Sequence, residues 1–152
     1  MKKLFCRIFS CLLIGSMFLA ANPVAIAAAP PDEGTAEPQA SYFLSSYSSY
    51  VAAVGSGKVQ VWFDVNGVGT MSRIGATRVI LYESTDNKSW TAVKTFRYTA
   101  YTSMTATNKM THTSYVPYSG VSGRYYKATV TAYAEKNGGC DSRLIYTSVI
   151  KA

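Results

Sequence analysis

Two stretches of the chain alternate apolar and polar residues with a period of two, and only an extended strand lying between a core and water satisfies that period. Lys58 to Asn66 sets Val59, Val61, Phe63 and Val65 against Gln60, Trp62, Asp64 and Asn66. Arg124 to Glu135 sets Tyr126, Ala128, Val130, Ala132 and Ala134 against Tyr125, Lys127, Thr129, Thr131 and Tyr133. A helix, at 3.6 residues per turn, would scatter either apolar set around its whole surface. These segments are therefore strands, with Val61, Phe63, Tyr126 and Val130 expected in the core.

The rest of the chain fits the same reading. Ile74 to Tyr98 contains a hairpin: Arg78 to Tyr82 is rich in β-branched and aromatic residues, breaks at Ser84-Thr85-Asp86-Asn87-Lys88-Ser89, and resumes at Trp90 to Phe96. Trp90, the first residue after that turn, is expected as a buried core anchor. Ser46 to Val54 reads as a strand closed by Gly55-Ser56-Gly57, although Leu44, Tyr47, Val51 and Val54 also fall at helical spacing. Gly67-Val68-Gly69-Thr70 reads as a break and Thr99 to Asn108 as an irregular connection. Met110 to Tyr118 and Ser142 to Ile150 complete the set. About seven strands in about 110 residues, separated by regular turn signals, predict an all-β fold: a single antiparallel two-sheet sandwich, with a closed barrel as the competing closure.

Tyr126-x-Ala128-x-Val130-x-Ala132, following a glycine turn and preceding an Asn-Gly turn and a last strand, resembles the sixth strand of a fibronectin type III domain. Trp90, between two strands, matches the same immunoglobulin-like class. The resemblance implies that Tyr126 is a corner tyrosine, its hydroxyl bonded to backbone of the loop before it. A second likeness covers nearly all of the chain after its leader. It rests on Gly57-Lys58-Val59-x-Val61-x-Phe63, Gly69-Thr70-Met71-x-x-Ile74-Gly75-Ala76, Ile80-x-Tyr82-Glu83-Ser84, Trp90, Gly123-x-Tyr125-Tyr126-x-Ala128 and Asn137-Gly138-Gly139-x-Asp141-Ser142-Arg143. These segments resemble an uncharacterised family of small secreted β proteins of Gram-positive bacteria. That resemblance implies an extracellular β domain and supplies no catalytic residues.

Residues 1–29 read as a secretory signal peptide. Lys2, Lys3 and Arg7 precede the apolar run Ile8 to Ala21, and small residues follow at Ala25-Ile26-Ala27 and Ala27-Ala28-Ala29. The expected localisation is secreted and extracellular, with no membrane span after signal removal. Residues 30–40, PPDEGTAEPQA, read as a disordered Pro-rich acidic linker, and residues 41–152 as the sandwich domain. Cys6 and Cys11 leave with the signal, so Cys140, in the turn Asn137-Gly138-Gly139-Cys140-Asp141, has no internal disulfide partner.

Missing parts argue against chemistry. One histidine, His112, and few acids leave no expected metal site or cofactor, and no nucleophile elbow, phosphate loop or paired glycosidase carboxylates stand out. Enzyme function is not expected. From Ser41 onward twelve Lys and Arg face five Asp and Glu, so an anionic partner suits the long-range field. Arg124-Tyr125-Tyr126-Lys127 alternates between faces and does not make a nucleic-acid surface, so no nucleic acid is expected. All twelve tyrosines follow residue 40. The expectation is a non-catalytic interaction module at or near the envelope. Water-facing Trp62, Tyr125, Lys127 and Tyr133 form its binding patch for anionic cell-wall polymer, glycan or another envelope protein. A secreted cationic effector, toxin or antimicrobial, is the alternative, and a small extracellular hydrolase the third reading.

Overall fold

The alternating segment at Lys58 belongs to a strand longer than its pattern. In the structure, a computed structural model that describes residues 41–152, β2 runs from Lys58 to Met71, straight through the glycines where the sequence predicts a break. It continues because its backbone keeps partners: Leu44 pairs with Gly67, and the Val68 N–H donates to the Phe43 carbonyl at 3.0 Å. Composition reports on side chains, and ladder bonds offered by a neighbour override it. The signal peptide and linker expected over residues 1–40 lie outside the described residues.

β1 (Leu44–Ala53) precedes β2 and turns into it through Gly55, Ser56 and Gly57, all at positive φ. There follow β3 (Arg73–Ser84), β4 (Thr91–Arg97), β5 (Thr105–Ala106), β6 (Lys109–Ser119), β7 (Tyr125–Lys136), β8 (Gly139–Tyr146) and β9 (Ile150–Lys151). One sheet has the order β1-β2-β6; the other has β4-β3-β7-β8, with β5 added to β3 and β9 to β7. Every pairing is antiparallel. The two sheets pack face to face as a sandwich, and no strand of one pairs with a strand of the other, so the barrel alternative is set aside.

Between the sheets lie Val59, Val61, Phe63 and Val65 of β2, Ile74, Val79 and Leu81 of β3, Val116 of β6, and Tyr126, Ala128, Val130, Ala132 and Ala134 of β7, all buried. The stretch read as an irregular connection, Thr99 to Asn108, contains a 3-10 turn (Thr102–Met104) and β5, and Met104 is buried. β3 accommodates this crossing at Gly75: φ is +139°, and a Cβ there would collide with the Met104 carbonyl and the Thr105 backbone.

Trp90 corrects the sequence reading. It is only half-buried and lies outside the core cluster, whose aromatic members from the β3–β4 hairpin and the chain just after it are Phe96, Tyr98 and Tyr101. It stands just before β4, against the outer face of the second sheet, where Lys127 Nζ sits 4.3 Å from its ring centroid. The turn before it is a plain hairpin turn. Asp86 accepts backbone bonds from Lys88 (2.9 Å) and Ser89 (2.8 Å), with Asn87 at φ 57°. Those bonds, with help from the Ser84 hydroxyl, hold the Asp86 carboxyl down at about 2.

Candidate functional site

Alternation sends every second residue of β2 to water, and the registers of β1 and β6 decide what stands beside it. Tyr50 lies opposite Trp62 on one side and Tyr115 opposite Trp62 on the other, so three rings form one row across all three strands. Tyr50 and Trp62 are stacked, 6° from parallel with centroids 6.2 Å apart, and Trp62 and Tyr115 are 4.6 Å apart at 31°. Such cross-strand ring pairs stabilise a sheet by about 0.2–1 kcal/mol each. The row nevertheless keeps its ends in water: Tyr50 is 54% and Tyr115 41% exposed.

One row beside the rings, Ser48, Asp64 and Thr113, is polar; in the other, Gln60 stands between Ala52 and Pro117. Asp64 is fixed by bonds from the Thr113 hydroxyl and from Asn66 Nδ2 (2.5 Å), and Asn66 also reaches the Ser46 hydroxyl at 3.0 Å. On the other side the indole N–H of Trp62 donates to Gln60 Oε1 at 3.0 Å. Gln60 and its cross-strand neighbour Pro117 then lead into a shallow hollow of about 270 Å³, completed by Val54, Lys58, Val59, Tyr118 and Ser119. The surface thus offers aromatic rings flanked by preset donors and acceptors.

The outer face of the second sheet is different. Tyr82 lies opposite Lys127, and Thr129 lies between Ile80 and Tyr146. With Trp90, Ala128, Thr147, Ser148 and Val149, these residues other than Ile80 line a cleft of about 520 Å³. Arg78 and Arg97 lie directly opposite each other nearby, both exposed. Like charges in that position disfavour the sheet, so this face carries a positive field at some cost to stability.

The patch expected from Trp62, Tyr125, Lys127 and Tyr133 does not exist as one surface. Trp62 belongs to the first sheet, and the other three to β7 of the second, so both sheets and the core separate them. Period two specifies a face of a strand and says nothing about which sheet the strand joins. Tyr133 is also about 20 Å along β7 from Lys127. Its hydroxyl donates to Glu135 at 2.9 Å, and burial together with that bond pushes its pKa up. Tyr125 has Lys151 Nζ 5.3 Å from its ring centroid. Sequence reasoning missed Tyr50 and Tyr115, although their place on strands paired with β2 was readable once a register was assumed.

Val61, Phe63, Tyr126 and Val130 are all buried. Tyr126 forms a corner: its hydroxyl accepts from the Val121 N–H at 2.8 Å and donates to Glu83 Oε2 at 2.5 Å, and Glu83 also binds Arg124. Gly120 leaves the room this needs, since a Cβ there would strike the tyrosine hydroxyl. Cys140 is exposed on β8, while His112, on the other sheet, bonds the Ser103 carbonyl at 2.9 Å. Among the described residues there is no group of three or more metal-ligating side chains, and no helix is long and apolar enough to cross a membrane. Comparison of the chain with protein-family models, curated proteins and solved structures finds no match.

Proposed function

We propose that this is a secreted, non-catalytic binding module that works at or near the cell envelope and holds a glycan on the outer face of its three-stranded sheet. The observation that carries the reading is the Tyr50–Trp62–Tyr115 row with Gln60 fixed on one side of it and Asp64 and Asn66 on the other. A sugar ring presents C–H groups on its faces and hydroxyls around its edge. Aromatic rings attract the former, and fixed carboxylate, amide and hydroxyl groups take the latter. The signal-like leader and the resemblance to small secreted Gram-positive proteins support the location. The strand order of the two sheets and the Tyr126 corner support a fibronectin type III-like fold for the sandwich, which by itself assigns no activity.

The test is retention on purified cell-wall polysaccharide. Two rings at about 0.5–1.5 kcal/mol each, about 1–3 kcal/mol together, correspond to roughly 5- to 150-fold in affinity. A Trp62→Ala and Tyr115→Ala double variant should lose that much, while Tyr133→Ala, on the other sheet, should be retained like the unaltered protein. No retention of the unaltered protein, or equal retention of the double variant, rejects the reading.

A further inference from the structure

We propose that the cleft on the four-stranded sheet is a second binding site, for a monocarboxylate carried on a planar aromatic body. It lies on the opposite sheet from the aromatic row and stands whether or not that row holds a glycan.

The cleft is made by an irregularity in the last strand. Tyr146 pairs with Thr129 and Ile150 with Tyr126, so three residues of the outer chain span what two residues of β7 span. Thr147 stitches the extra residue down: its N–H donates to the Ala128 carbonyl at 3.0 Å and its hydroxyl accepts the Ala128 N–H at 2.9 Å. Bulges of this kind re-aim neighbouring side chains, and here they raise Val149 and a 74% exposed Tyr146 as one wall. Trp90 and Tyr82 form the other, around a volume of about 520 Å³, the size of a small-ligand site.

Inside it stands one cation. Lys127 is half-buried against the Trp90 ring, and the ion pairs among the described residues, Arg73 with Glu135 and Arg124 with Glu83, do not include it. A carboxylate arriving there pairs a partly desolvated charge, and a flat apolar body fills the space between the rings. A neutral ligand forgoes the first gain and a sugar acid the second. The same group is presented by a free aromatic acid and by the C-terminal aromatic residue of a peptide.

Trp62 and Trp90 are the two tryptophans, so a Trp62→Phe chain reports on Trp90 alone. Phenylacetate should change its emission saturably, phenylacetamide should not, and Lys127→Gln should weaken phenylacetate about tenfold. Gly-Gly-Phe against its C-terminal amide should repeat the contrast; whichever carboxylate binds tighter names the source. Amide shifts at Lys127 and Trp90 in the unaltered protein provide the same reading if a variant folds poorly. No saturable response to either carboxylate up to about 10 mM, where a millimolar site would be filled, overturns the proposal. Equal binding of the amides, or an unchanged affinity in Lys127→Gln, does so too.

Discussion

The Tyr126 hydroxyl ties three segments together, since it holds the loop before β7 through Val121 and reaches Glu83 on β3, which Arg124 also binds. Burial first, and then the bond to Glu83, raise its pKa above the ordinary tyrosine value. A raised folded pKa means that this contribution to stability is complete below about pH 10 and is lost as pH climbs through the folded value. Tyr126→Phe removes the hydroxyl but keeps the ring, leaving the Val121 N–H and one Glu83 oxygen without their partner. Chemical denaturation should show a loss of about 1–3 kcal/mol, and an unchanged midpoint would mean that the corner is ornamental. The ring's burial was legible from the alternation of β7. The hydroxyl's second partner was not, because Glu83 is brought there only by the pairing of β3 with β7. Trp90 shows the opposite limit. Its type and its place after a turn suggest a core anchor, yet the ring leans on Lys127 outside the core. Trp90→Ala should therefore cost about 1 kcal/mol, the scale of an accessible cation–π contact, against about 3–5 kcal/mol for Phe63→Ala in the centre. Thermal melts of the two variants, if equally damaging, would put Trp90 back inside.

At the scale of elements, a strand was readable in proportion to how different its two faces are. β2 and β7 lie with one side in the core and one in water, so their pattern is clean. β3 was seen only from Arg78, because its first residues, Arg73 to Thr77, are shaped by a crossing rather than by alternation. Gly75 sits at that crossing with φ +139°, and the Met104 carbonyl occupies the space a side chain would need. Gly75→Ala should lower stability by about 1–3 kcal/mol through backbone strain alone, with additional loss if β5 detaches. Hydrogen exchange should locate the damage at Thr105 and Ala106; protection unchanged there would show that the turn yields freely. The division of the last strand into β8 and β9 was likewise invisible, since an extra residue between Tyr146 and Ile150 leaves no mark on composition.

For the molecule as a whole, the two-sheet sandwich followed from strand count and turn spacing, while the surfaces did not. Assigning a residue to water needs only its own strand; assigning it a neighbour needs the register of two others. That is why Trp62 was picked out without Tyr50 and Tyr115, and why Lys127 was grouped with Trp62 across the thickness of the protein. The assembled molecule has two dissimilar outer faces, one aromatic and nearly neutral, the other cationic with a cleft. The proposed function places a glycan on the first of these faces. Amide chemical-shift mapping during titration with a neutral cell-wall oligosaccharide tests it directly. The predicted result is a saturable set of shifts centred on Tyr50, Trp62 and Tyr115 and extending to Gln60 and Asp64. Shifts centred on β7 and β8, or none at saturating sugar, would contradict it.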